Sequence, residues 1–146
     1  MILRDYRAED FETICEIDRQ CFPKGIAYSR GEIAATVKHP GVIVVVAEEQ
    51  SAVAGFVMAA PMEKGRGHII TIDVLAAHRK RGLGTQLMEE THRRLLAAGK
   101  HRVTLETAVD NIAAIEFYQK LGYTTVRRLE GYYLKRIDAW HMAKEL

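Results

Sequence analysis

The residues best suited to chemistry lie in a short turn rich in cationic side chains and glycine. It follows a β-branched run at residues 69–75, leads into a segment with helical periodicity, and reads Arg79, Lys80, Arg81, Gly82, Leu83, Gly84, Thr85. A strand that enters a helix through such a turn presents unpaired amides and the positive end of the helix dipole to an anion. Glycine has no Cβ, so a phosphate can approach the main chain closely. The turn predicts a diphosphate site, although a purely structural strand-to-helix turn has a similar composition.

The spacing of this turn differs from two widespread phosphate motifs. Its order is Arg79-x-x-Gly82-x-Gly84, whereas the dinucleotide fingerprint is G-x-G-x-x-G and a P-loop ends in Gly-Lys-Ser or Gly-Lys-Thr. The turn is therefore neither of these. Thr85 adds a hydroxyl donor within the first helical turn.

A second group of polar residues lies further along the chain. Glu106 stands in a predicted strand at residues 103–107, and Asp110 with Asn111 provides a cap for a following helix. Asn111, Ala114 and Tyr118 are separated by three and four positions, so they share one helical face. We expect this face to line the same groove as the glycine turn.

Composition restricts the class of protein. The 146 residues are 48% hydrophobic, which favours one domain over residues 1–146 with a substantial core. The 21 basic and 19 acidic residues are scattered, which argues against a nucleic-acid surface. Cys15 and Cys21 have no ligand-spaced Cys or His nearby, so we expect free thiols, no metal and a reducing cytoplasmic location. No signal peptide and no apolar run of about 20 residues is evident, so we expect no membrane segment.

Periodicity predicts an α/β (α+β) fold. Strands are expected at residues 2–6, 41–48, 52–60, 69–75, 103–107, 123–129 and 139–144, and helices at 8–19, 29–37, 83–98 and 112–121, with a loop at 130–133. This order predicts a mixed, mostly antiparallel sheet of about seven strands with helices on both faces. The fourth and fifth strands should be parallel, because a helical crossover joins them. The candidate site is the cleft between their carboxyl ends.

Two blocks of the chain resemble the GCN5-related N-acetyltransferases, the GNAT superfamily. The turn Arg79-Lys80-Arg81-Gly82-Leu83-Gly84 is similar to that family's acetyl-CoA pyrophosphate loop, Q/R-x-x-G-x-G/A. Residues 105–123, which include Asn111-Ile112-Ala113-Ala114-Ile115-Glu116-Phe117-Tyr118, are similar to its coenzyme-contacting helix. The nearest resemblance is to the ribosomal-protein alanine and N-terminal (Nα) acetyltransferases, which the tail at residues 131–139 also resembles.

The resemblance implies a GNAT fold with a splayed cleft and acetyl-CoA (coenzyme A) as cofactor. Its pantetheine arm would pair along residues 72–74 like an added strand. The amide of Val74 or Leu75 would bind the thioester oxygen. The implied cofactor-binding residues are Ile72, Val74, Leu75, Arg79, Lys80, Arg81, Gly82, Leu83, Gly84, Thr85, Asn111, Ala114 and Tyr118.

Acetyl transfer requires a neutral amine and a proton for the departing thiolate. The resemblance implies that Glu106 is the base and Tyr118 the acid, and Glu106 would act through water if burial raised its pKa. His68 is a third catalytic candidate, although a histidine at this position can also be an ordinary loop residue. Some relatives have a catalytic Tyr and His where this chain has His68 and Glu106, so that mechanism does not transfer.

Aromatic residues near two loops are candidates for the acceptor side. Phe22 and Tyr28 lie around the break between the first two helices, and Tyr132 and Tyr133 lie in the last predicted hairpin. The resemblance implies that they line a peptide channel. The alternative is that they only pack on the sheet.

Three functions compete. The leading one is acetyl transfer from acetyl-CoA to the α-amino group of a protein or peptide N-terminus by direct attack, since an α-amine has a pKa near 7.7–8.0 and a lysine near 10.4. A small-molecule amine acetyltransferase would use the same reaction. A non-catalytic acetyl-CoA-binding module would need the turn without Glu106 or Tyr118. In each case we expect no nucleic-acid or membrane partner and a monomer or homodimer.

Overall fold

Seven strands form one mixed sheet, and four helices lie on its two faces. The computed structural model describes all residues, 1–146. In chain order the elements are β1 Ile2–Asp5, α1 Phe11–Cys21, α2 Arg30–Lys38, β2 Ile43–Glu49, β3 Ala52–Pro61, β4 Arg66–Val74, α3 Leu83–Ala97, β5 Arg102–Ala108, α4 Ile112–Lys120, β6 Thr124–Tyr133 and β7 Ile137–Glu145. This confirms the predicted fold class and the predicted order of elements.

The strands are arranged in the order β1-β2-β3-β4-β5-β7-β6, and every neighbouring pair except β4 and β5 is antiparallel. The parallel pair is joined by α3, as predicted. Its pairing comprises Arg66 with Arg102, Gly67 with Val103 and His68 with Thr104. Beyond His68 the two strands part, so a cleft opens between the carboxyl-terminal halves of β4 and β5.

Each face of the sheet has its own apolar core. The predicted stripe of α3, with Leu83, Leu87, Met88 and Leu95 all at most 2% exposed, packs over the middle of the sheet. On the other face α1 and α2 bury a second cluster that includes Ile14, Cys15, Ile17, Ile33 and Phe56. Of these two helices, α1 contacts β3 and β4 and also packs against α2.

Helix boundaries follow from capping. The side chain of Ser29 accepts from the Glu32 amide at 3.1 Å and that of Glu32 accepts from the Ser29 amide at 2.9 Å, the capping box that the sequence predicts. Gly99 has φ +82°, a left-handed conformation that ends α3 at little cost. None of the helices is long and apolar enough to cross a membrane.

Three local predictions are wrong. β4 begins at Arg66 instead of residue 69, and β6 continues through Tyr133, so residues 130–133 are strand and not loop. The reversal is made by Leu134 and Lys135, with φ of 55° and 57°, because the aromatic pair before them favours an extended conformation. On α3, the i,i+4 spacing predicts pairs of Glu89 with Arg93 and of Glu90 with Arg94, but Glu90 pairs with both arginines and Glu89 with neither.

Gly55 is required where β3 passes β4. A Cβ at this position would lie 2.6 Å from the Asp73 carbonyl oxygen, which is backbone and cannot move aside. Gly55→Ala should therefore lower the free energy of unfolding by about 1–3 kcal/mol, measured by urea denaturation. The matched control is Gly31→Ala in α2, where the new Cβ would meet only Ser29 Oγ at 3.9 Å. That change should be stabilising or neutral, and a similar loss in both variants would contradict the steric argument.

Candidate active site

Unpaired amides mark the start of α3. The first helical hydrogen bond runs from Gln86 N–H to Gly82 O at 3.0 Å, and the N–H groups of Leu83, Gly84 and Thr85 donate to no group of the protein. Gly82 has φ +80°, and no atom lies within 4 Å of its Cβ position. These three free donors lie at the positive end of a 15-residue helix, next to the open space at Gly82. This arrangement fits the predicted diphosphate.

Two of the three cationic side chains of the same turn are bound to other groups of the protein. Arg79 Nε–H donates to the Val74 carbonyl at 2.8 Å, and Arg81 donates to Glu49 at 2.6 Å. Both guanidinium groups are thus already bound to protein groups, and Arg81 alone of the three cations forms an ion pair. The main-chain amides are therefore the free donors of this turn, and the cofactor-binding roles of Arg79, Lys80 and Arg81 stay predictions.

Gly84 allows close packing between the start of α3 and α4, a role that the sequence alone did not reveal. Its Cβ would lie 3.2 Å from Phe117 Cζ of α4, so glycine at this position lets α4 approach the start of α3. On α4, Asn111 caps the helix, with its Oδ1 accepting from the Ala114 amide at 3.3 Å. Tyr118 is buried on the same helix, with its ring 5.8 Å from that of Tyr123. The glycine turn therefore meets α4 at Phe117.

The open edge of β4 forms one wall of the cleft. Tyr28 O–H donates to Ile70 O at 3.3 Å, and Val74 O accepts from Cys21 Sγ at 3.5 Å. Alternate residues of a strand point their main-chain groups to the same side, so the main-chain N–H and C=O of Ile72 also face the gap. The Leu75 amide donates to Ala54 O at 3.0 Å. The Leu75 amide is therefore not free to bind the thioester oxygen, so that alternative is wrong, and the same role for Val74 stays a prediction.

A carboxylate held by two imidazoles lies just beyond the point where the strands part. Glu106 accepts from His141 Nδ1 at 2.6 Å and lies 3.2 Å from His68 Nε2. Tyr132 O–H donates to the same carboxylate at 3.3 Å. His68 belongs to β4 and not to a loop, and its Nδ1 lies 2.9 Å from Thr104 Oγ1. The structure thus brings His68 and Glu106 together, as adjacent walls of the cleft.

These contacts determine the charge of Glu106. Burial disfavours the ionised form, but the hydrogen bonds from His68 and His141 outweigh that cost and lower the pKa of Glu106 to about 2. The condition under which Glu106 would act as the base through water, a pKa raised by burial, is therefore not met. Glu106 is ionised at any working pH, which makes it a weak base alone and a strong partner for a protonated imidazole.

Three of the four aromatic residues predicted for the acceptor side lie around Glu106 and the open edge of β4. Besides Tyr28 and Tyr132, Tyr133 donates to the Glu106 carbonyl at 3.4 Å. Burial raises the pKa of Tyr28 to about 12, so its hydroxyl remains a donor. A Cβ on Gly25 would lie 2.4 Å from Leu134, so the loop after α1 touches the β6–β7 reversal. Phe22 ends α1 and is half-buried, and its predicted role stays a prediction.

Sequence reasoning missed His141, Thr104 and the buried Asp18 and Asp73. The pairing of β5 with β7 places His141 directly opposite Glu106, but the two are 35 positions apart in the chain. Only the strand register would have predicted that contact. Thr104 pairs with His68 at the last parallel position, so predicting their contact also required the strand register.

Comparison with known proteins agrees with this geometry. The profile of the Acetyltransferase (GNAT) family matches residues 8–123. An N-alpha-acetyltransferase of Saccharolobus solfataricus is 30% identical over 99% of this chain and 92% of its own length. The ribosomal-protein-S18-alanine N-acetyltransferase of Escherichia coli superposes with a TM-score of 0.87 at 22% identity, over 99% of this chain and 92% of its own. Arabidopsis thaliana NAA60 in complex with acetyl-CoA has a TM-score of 0.88 at 24% identity, over 99% and 98%.

Proposed function

The chain belongs to the acetyltransferase (GNAT) family, and on this premise we propose that it transfers the acetyl group of acetyl-CoA to the α-amino group of a protein or peptide N-terminus. The observation that carries the proposal is the position of two groups at one cleft. Free amides of Leu83, Gly84 and Thr85 lie at one end of the parted strands, and the Glu106 carboxylate lies at the other. One end fits a diphosphate and the other fits an amine.

The donor is held by main-chain groups. The amides at the start of α3 bind its diphosphate, and when bound the cofactor supplies the acetyl thioester. Ile72 and Val74, on the open edge of β4, pair with the pantetheine arm as a neighbouring strand would. The Val74 amide donates to the thioester oxygen, where negative charge develops during attack. The exposed Asn111 and half-buried Ala114 complete this wall from α4.

The proton of the attacking amine goes to the pair formed by Glu106 and His68. An ordinary ammonium would lose its proton to a lone carboxylate of pKa about 2 only at great cost, since each unit of pKa difference is worth about 1.4 kcal/mol. The His68 imidazole, whose Nε2 lies 3.2 Å from that carboxylate, is the member of the pair that accepts the proton. Glu106 thus keeps its predicted place at the centre of the base, in partnership with His68.

Tyr118 supplies the proton for the departing thiolate. Burial raises the pKa of Tyr118 above its usual range, so its hydroxyl is protonated throughout the pH range of catalysis. That hydroxyl makes no hydrogen bond within the protein, so it has no partner to release before it donates. The hydroxyl is therefore free to act as a donor.

Attack is direct, without an acetylated enzyme. Cys21 lies beside Val74 and is the one thiol close to the cleft, nearer than its position in the sequence indicated. Burial raises the pKa of the Cys21 thiol, so the nucleophilic thiolate is scarce. The aromatic walls formed by Tyr28, Tyr132 and Tyr133 favour a peptide as acceptor.

A peptide-library assay tests the proposal. Purified protein with labelled acetyl-CoA should acetylate short peptides at their α-amine, with rates that depend on the first residue, whereas Nα-blocked peptides containing lysine should react slowly. Faster acetylation of polyamines or aminoglycosides than of any peptide would assign a small-molecule acceptor instead. Acetyl-CoA binding by calorimetry without any turnover would leave a non-catalytic module.

A further inference from the structure

Two buried carboxyl groups face each other between α1 and β4. Asp18 of α1 is 0% exposed and Asp73 of β4 is 1% exposed. One oxygen of each is satisfied, since Asp18 Oδ2 accepts from the Tyr28 amide at 2.7 Å and Asp73 Oδ1 accepts from Thr71 Oγ1 at 2.6 Å. The other oxygens, Asp18 Oδ1 and Asp73 Oδ2, are two of only three buried side-chain polar atoms without a partner.

The two unsatisfied oxygens belong to groups within hydrogen-bonding reach of each other. Ionised carboxylates have only acceptors, so two of them cannot satisfy one another and would repel. A single proton between them removes both problems, because one oxygen then donates and the other accepts. We propose that Asp18 and Asp73 share one proton, and that this acid pair positions the loop carrying Tyr28 over the acceptor end of the cleft.

The surroundings favour the shared proton. The charged and titratable groups near Asp73 are Asp18, Cys21, Tyr118 and Arg79. Arg79 is exposed and bound to the Val74 carbonyl, so no buried cation neutralises the pair. Burial, reinforced by the Asp18 carboxyl, raises the pKa of Asp73 to about 9. Asp73 is accordingly the member that holds the proton at neutral pH.

The pair acts on the cleft through Tyr28. Asp18 fixes the Tyr28 main chain, and the Tyr28 hydroxyl reaches across to the Ile70 carbonyl on the open edge of β4. The loop is thus attached to α1 through Asp18 and to the strand that forms the donor wall through the Tyr28 hydroxyl. Asp18 and Asp73 are positioning residues, and this role rests on the proposed function, whereas the shared proton does not.

Carbon-13 NMR of protein labelled at the aspartate carboxyls tests the proton directly. One carboxyl carbon should keep the chemical shift of the protonated acid at pH 7 and should titrate near pH 9. This signal should be missing in Asp73→Asn, whose amide donates to Asp18 without titrating. If every aspartate titrates below pH 6, the proposal is wrong, whatever the enzyme acetylates.

Thermal unfolding gives a second test that needs no activity. The folded-state pKa of Asp73 is raised above its unfolded value near 4, so its contribution to stability is complete below pH 4 and is lost as the pH rises to about 9. The Tm of the wild type relative to Asp73→Asn should therefore fall steadily between pH 5 and 9. Asp5→Asn, an exposed aspartate of β1, is the control and should run parallel to the wild type. A constant difference between wild type and Asp73→Asn would contradict the shared proton.

The positioning role is tested by steady-state kinetics. Above pH 9 the pair loses its proton, so KM for a peptide should rise severalfold in the wild type, with a smaller change in kcat. Asp73→Asn should remove this rise, while Cys21→Ser should keep it. A rise that persists in Asp73→Asn, or that disappears only in Cys21→Ser, would exclude the pair as the cause.

Discussion

Glu106→Gln is expected to lower kcat by about 10²-fold or more, the size of effect that a lost proton acceptor produces. Glutamine preserves the shape of the side chain but removes the charge that lies 3.2 Å from His68 and 2.6 Å from His141. An imidazolium formed during attack then has no counter-charge. Initial rates at saturating acetyl-CoA and peptide measure the loss.

Glu145→Gln is the matched control for this variant. Glu145 is an exposed carboxylate on β7, paired with Arg102 outside the cleft. It should leave kcat unchanged. Equal rates in Glu106→Gln and wild type, with both folded by circular dichroism, would remove Glu106 from the mechanism.

Tyr118→Phe should also lower kcat by about 10²-fold, with little change in stability. Phenylalanine keeps the ring that packs against Tyr123, and the lost hydroxyl makes no hydrogen bond within the protein. A structural role for Tyr118 would therefore be preserved in the variant, and an acid role would be lost. Parallel measurements of kcat and Tm separate the two.

Tyr123→Phe is the control for Tyr118→Phe, and it should lower stability without lowering kcat. Tyr123 O–H bonds His92 Nε2 at 2.6 Å in the core. Tyr123→Phe leaves that buried nitrogen without its partner, which should cost about 1–3 kcal/mol of stability and leave kcat near its original value. A fall in Tm without a fall in kcat for Tyr118→Phe would assign Tyr118 to the core alone.

Local pattern was enough to predict most of the fold. The 3.6-residue stripe of α3, the capping box at Ser29 and the β-branched run of β2 each depend on neighbours a few positions away. The errors occur where contacts between residues distant in the chain determine the strand boundaries. β4 begins early because Arg66 to His68 pair with β5, and β6 extends through Tyr133 because Tyr133 pairs with Ile137.

The site was harder to predict because its chemistry depends on register. The motif placed Glu106 and Tyr118 at the cleft, but the pKa of Glu106 is set by His68 on β4 and His141 on β7. Burial alone predicted a rise, and two cross-strand imidazoles reverse it. Likewise, Arg79 and Arg81 read as free cations in the sequence, yet their partners Val74 and Glu49 lie on other parts of the sheet.

The three residue pairs that join β4 to β5 have a mechanical consequence. They are the only paired residues that connect β1–β4 to β5–β7, so the two halves of the sheet are joined by strand pairing near one end only. A molecule that lies along the gap and forms hydrogen bonds to both strand edges connects the two halves at the other end as well. Binding of such a molecule then stiffens the whole sheet, and resistance to unfolding grows with its concentration.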